Sequence, residues 1–143
     1  MKKGPTKISA AAEGEYLADV ALAANFDALL SRAQAAEQAY RRAQAVAAPV
    51  DEQYALARDL DIALTDATRA AYAAQRAEIG PLGYEDRIYR RKAMATSAVH
   101  AWTDEADWLL TLRETHRLTG FPPRPLVRVI GAEVARLPAE KHA

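Results

Sequence analysis

FDALLSRAQAAEQAYRRAQAVA (residues 26–47) and, past Ala48-Pro49, DEQYALARDLDIALTDATRAAYAAQRAEI (residues 51–79) carry one rhythm twice. In the first run Phe26, Leu29, Ala33, Ala36, Tyr40, Ala43 and Ala47 return at alternating spacings of three and four. In the second, Ala57, Leu60, Leu64, Ala67, Ala71 and Ala74 do the same. Residues so spaced share one face of a 3.6-residue helix. Pro49 cannot continue a helix, because it has no N–H and its ring clashes with the preceding turn. It therefore closes the first helix, with Asp51 expected as the N-cap of the second. Two helices joined by so short a turn lie antiparallel, as an αα-hairpin. Alanine on both seams lets the backbones approach closer than the usual interaxial distance of roughly 8–10 Å.

Upstream, a helix is expected over roughly 9–24, starting at Ser9 and carrying Tyr16, Leu17, Val20 and Ala24; Asn25 either separates it from the hairpin, the preferred reading, or lies within one continuous helix over 9–47. Downstream, Gly80-Pro81-Leu82-Gly83 is the clearest break in the chain. Residues 84–119 then read as one long helix, or as two joined near Thr103, a potential N-cap ahead of Asp104 and Glu105. Gly120 to Pro125 is a stiff linker that cannot continue the preceding helix; Leu126 to Ile130 could open a strand, but Pro125 at a first helical position points to a short last helix over 125–137. The ends, 1–8 and 138–143, are expected to be flexible. The expectation is an all-α, single-domain bundle of five or six helices organised on the hairpin.

Composition narrows the function classes. The 143 residues carry 19 Lys+Arg against 19 Asp+Glu and no cysteine. Without cysteine there is no disulfide, thiolate metal site or Cys nucleophile. Duplex-DNA binders generally carry a cationic surplus, which this chain lacks. Met1-Lys2-Lys3 starts like a signal peptide, but Glu13, Glu15 and Asp19 fall where its apolar core would lie. The apolar run Val20–Ala24 is far shorter than the ~20 residues that span a bilayer. A cytoplasmic protein with no membrane partner is expected.

Catalytic chemistry finds little to work with. His100 and Asp104 are one helical turn apart and Asp107 follows, but His116 and His142 are distant, and zinc needs three or four converging ligands. Ser9, Ser31 and Ser97 stand in no Gly-x-Ser-x-Gly elbow, and no glycine-rich phosphate loop exists. No enzyme, metal or cofactor is expected.

Two features bear on binding. Arg87, Arg90, Arg91 and Lys92 flank Tyr84 and Tyr89, and Arg41 follows Tyr40; basic residues among aromatics can hold single-stranded nucleic acid. Asp86 lies four residues before Arg90, and Glu37 four before Arg41, so intrahelical ion pairs and a solvated face are the preferred reading. Pro122-Pro123-Arg124-Pro125 matches a P-x-x-P core, but a helix-breaking spacer explains it as well.

The second feature is a pair of apolar stripes on a continuous 84–119 helix. One holds Ile88, Ala95, Val99, Trp102, Ala106 and Leu109; the other holds Met94, Ala98, Ala101, Trp108 and Leu112. Trp108 stands about 120° around the helix from Trp102. A helix apolar on two sides is either central in the fold or turns one side to a partner; on the second reading Trp102 anchors the core, while Trp108, Leu112, Met94 and Arg90 mark a face for a partner. The expected function is a non-enzymatic protein-interaction module: an adaptor, a regulatory inhibitor or an accessory protein of a mobile element. The alternative is a nucleic-acid-associated module using Arg41, Arg87, Arg90 and Arg91, and a homo-oligomeric structural protein is the third class.

Overall fold

The structure, a computed structural model, describes residues 7–119. These form an all-α bundle: α1 (Ala10–Ala23), α2 (Phe26–Ala45), α3 (Val50–Ile79), a 3₁₀ turn (Pro81–Tyr84), α4 (Arg87–Met94) and α5 (Ser97–Thr119). The expected 125–137 helix, the 122–125 prolines, His142 and most of both chain ends lie outside the described residues.

The hairpin forms as its spacing dictates. Phe26, Ala33, Tyr40 and Ala43 of α2 are buried, as are Leu60, Leu64, Ala67, Ala71 and Ala74 of α3. The turn is a Schellman closure: Ala48 N–H reaches the Ala43 carbonyl (2.9 Å) and Ala47 N–H reaches that of Gln44 (3.1 Å). It places Ala47 at φ 53°, the left-handed region where glycine is the usual residue. Pro49, not Asp51, occupies the cap of α3, and Asp51 falls in the first turn, where its charge complements the helix dipole.

α3 is the central helix. Ala63, Ala67, Ala70, Ala71, Ala73 and Ala74 are buried over a broad arc of its surface, and α2, α5 and α1 all pack on it. Small residues over so wide an arc admit more than one neighbouring helix. Phe26, Leu30, Ala33 and Tyr40 from α2 and Ala106, Leu109 and Leu112 from α5 complete the core. Three of its buried polar side chains make clear polar contacts. Thr68 donates to the Leu64 carbonyl (2.7 Å), and the His116 Nε2–H donates to the Ala57 carbonyl (2.9 Å) with the ring edge-on to Tyr40. Glu37 pairs with Arg41 at 3.1 Å.

α1 begins at Ser9, whose hydroxyl accepts from Ala12 N–H (3.0 Å). No glutamate stands at the third helical position to complete a capping box. Glu85, far along the chain, takes that role: its carboxylate accepts from Ser9 N–H (3.1 Å) and from the Ser9 hydroxyl (2.7 Å). Those two bonds pull Glu85 below its ordinary pKa despite its exposure. At Ala24-Asn25 the chain breaks between α1 and α2, as its sequence suggests.

The 84–119 segment is two helices, and the break is at Ala95-Thr96 rather than Thr103. Thr96 offers its carbonyl to His100 N–H (2.9 Å) and turns its hydroxyl back on Ala93 (2.7 Å). Thr103 sits inside α5, donating to the Val99 carbonyl (3.1 Å) and accepting from Gln75 of α3 (2.7 Å). The earlier break dissolves the long stripe: Val99, Ala106 and Leu109 are buried, but Ile88 is 69% exposed and Ala95 is exposed.

Candidate functional site

Asp86 starts α4 by accepting from Tyr89 N–H (2.9 Å). That commitment has a consequence for the charges that follow. With its carboxylate turned to the backbone, Asp86 makes no ion pair with Arg90, contrary to the spacing-based expectation. Arg90 instead reaches back to the Gly83 carbonyl (2.7 Å), a bond that leaves its positive charge uncompensated. Among the described residues, Arg87, Arg91 and Lys92 likewise have no carboxylate within ion-pair distance.

α4 buries none of its residues. In an ordinary surface helix the i, i+3, i+4, i+7 face is apolar and packs on the core. Here that face is Arg87, Arg90, Arg91 and Met94. Guanidiniums without carboxylate partners cannot be dehydrated cheaply, so this face does not close onto α3. A cleft of about 790 Å³ stays open between them, lined by Gln75, Arg76 and Ile79 of α3 and by Arg87, Ile88, Arg90, Arg91 and Met94 of α4. A smaller recess of about 220 Å³ adjoins it through Arg76, Ile79 and Arg90, and ends against Glu15, Gly83 and Tyr84.

The α3 wall is held by a polar node. Arg76 grips Asp19 of α1 through both oxygens (2.8 and 3.0 Å), and Tyr84 donates its hydroxyl to the same carboxylate (2.6 Å). Burial acts to raise the Asp19 pKa, but the Arg76 and Tyr84 hydrogen bonds outweigh it and hold the carboxyl below its usual range. Burial and the bond to Asp19 push the Tyr84 phenol up. Asp19 therefore cancels the charge of Arg76, and the positive character of the cleft comes from α4. Gly83 completes the wall: a Cβ there would overlap Ile79 Cγ2, so the 3₁₀ turn lies directly on the end of α3.

The structure brings together Arg87, Arg90, Arg91 and Met94, residues that the sequence divides between two different readings. It separates the others. Leu112 is 0% exposed, a core residue that offers no surface. Trp108 is half-buried and packs against the same core as Trp102, which stands edge-on to Phe26 (5.2 Å, 88°). Arg41, on α2, is paired with Glu37. Ile79 and Gln75 were not singled out from the sequence, because hairpin periodicity assigns Ile79 only to the end of a helix. His100 and Asp104 lie 3.3 Å apart on the exposed side of α5, and the described residues hold no group of three His, Asp or Glu placed for a metal. No described helix is long and apolar enough to cross a membrane.

Comparison with protein-family models, with curated proteins and with solved structures gave no match.

Proposed function

We propose that the chain is a non-enzymatic interaction protein that docks a protein partner in the cleft between α3 and α4. The observation that carries this reading is the inverted face of α4: Arg87, Arg90, Arg91 and Met94 turned toward α3, with no ion pair on the three arginines. Arginine over an apolar floor is a composition typical of interface hot spots, and Ile79, Ile88 and Met94 provide that floor. The lining has no serine, histidine or carboxylate to act as nucleophile or general base. A partner with an acidic, partly apolar surface would satisfy both the charge and the floor.

A second reading is a nucleic-acid strand on the same arginines, favoured by their lack of carboxylate partners and by exposed Tyr89. The neutral chain and the apolar floor weigh against it. A photo-crosslinking residue at Ile88, compared with one at Ile62 on the exposed side of α3, tests the docking reading in cells that make the protein. A protein adduct from position 88, lost on Arg87→Glu/Arg91→Glu, is the expected result. Adducts to nucleic acid, or equal protein adducts from both positions, would contradict it.

A further inference from the structure

We infer that the element received by the α3/α4 cleft is an acidic amphipathic helix of the partner, an inference that rests on the docking reading above. An acidic segment seated against an arginine cluster can present one of three regular backbones to a groove: an added strand, a polyproline helix or an α-helix. The first needs an open sheet edge. Both walls here are helices whose backbone groups are already bonded internally, and the described residues contain no strand. An extended segment over Ile79, Ile88 and Met94 would leave its own N–H and C=O groups unpaired against apolar side chains. The second mode needs an aromatic platform, and no aromatic residue lines the cleft. An α-helix satisfies its own backbone and needs only side-chain complementarity.

That complementarity is specific in spacing. Arg87 and Arg91 are i, i+4 on α4, with Arg90 between them on the same face. Their Cα atoms are separated by about 6 Å along the axis, one turn of helix. Carboxylates one turn apart on an incoming helix repeat at that same distance and can meet both arginines at once. Apolar residues on the helix's adjacent stripe then fall on Ile79, Ile88 and Met94. α4 is 8 residues long, so it offers a wall for roughly two turns. A short acidic helix is therefore the occupant whose charge, backbone chemistry and length all fit.

The test uses the full chain and fluorescein-labelled synthetic peptides of about 16 residues, a length at which helix formation is responsive to sequence. One peptide is built of glutamate, alanine and leucine, with glutamates at i, i+4 and leucines along the neighbouring stripe. A second has the same residues with one central alanine replaced by proline. An oligothymidylate of about 12 nucleotides, long enough for a single-strand site, is the third probe. The helix-forming peptide is expected to bind at least about tenfold tighter than its proline counterpart, roughly 1.4 kcal/mol. That binding should be lost in Arg87→Glu/Arg91→Glu, whose circular dichroism should match wild type because neither side chain is buried. Equal binding of the two peptides, abolished by the double variant, would overturn the helix inference and leave the docking reading standing. Tighter, steeply salt-dependent binding of the oligothymidylate would overturn the docking reading itself. Peptide binding that the double variant does not weaken, or no binding of any probe, would overturn both.

Discussion

Asp19 joins two helices through three hydrogen bonds, and its charge state decides whether they hold. Its pKa is lowered in the folded chain, so its contribution to stability is present above about pH 4, the unfolded carboxyl's range, and drains away as pH falls through the folded value. Asp61, held by Arg117 at 2.6 Å, is lowered in the same direction and ties α3 to α5. Asp19→Asn should cost about 1 kcal/mol at neutral pH, a modest figure because Arg76 is roughly half exposed. In urea unfolding between about pH 5 and pH 2 the variant should lose stability less steeply than wild type. Identical slopes would show that the Asp19 node does not contribute. Ala47 offers an independent test at the hairpin turn. Its φ of 53° strains a side chain that glycine lacks, so Ala47→Gly should raise stability by about 0.5–1 kcal/mol, the left-handed strain exceeding glycine's entropic cost in the unfolded chain. A lowered melting temperature would contradict that balance.

Among the elements, the hairpin was legible because its seam repeats for many turns, so a single misread residue does not alter the pattern. Ser9 was legible for a local reason, standing where an apolar rhythm begins, whereas Asn25 left a break and a continuous 9–47 helix both open. The α4–α5 junction was not legible. Thr103 is followed by two acids and looks like a cap, whereas Ala95-Thr96-Ser97 has only its paired hydroxyls as a signal. Reading the segment as one helix, or as broken only near Thr103, kept Ile88 in register with Val99 and left Arg87 and Arg91 on a solvated flank. The tryptophans follow the same logic. Spacing left Trp108 either outward or in a central helix; α5 packs along α3 while its Trp102 and His116 rings also meet Phe26 and Tyr40 of α2, so a wider arc of its surface is covered. Trp102→Ala and Trp108→Ala should therefore both destabilise the chain, each by about 2–4 kcal/mol, a little less than full burial would cost. A Trp108→Ala variant with the melting temperature of wild type would return that residue to the surface.

For the whole molecule, neutrality conceals an uneven distribution. Arg32, Arg41, Arg76, Arg113 and Arg117 sit within ion-pair distance of Asp66, Glu37, Asp19, Glu114 and Asp61. Arg42, Arg58 and Arg69 also lie outside ion-pair distance of a described carboxylate, but α4 gathers four such cations within eight residues, beside an apolar floor. Net charge read from the sequence could not show this, since ion pairing depends on which carboxylate is used for capping. The claim that α4 and the end of α3 form the docking site is tested most directly by NMR titration of the isotope-labelled full chain with the glutamate- and leucine-bearing peptide. Backbone amide shifts are expected at Gln75, Arg76, Ile79 and across Arg87–Met94, with α2 and the middle of α5 unmoved. Shifts centred on Trp108, or on the α2–α3 face around Ala35, Ala39 and Ile62, would contradict the assignment and place the docking surface elsewhere.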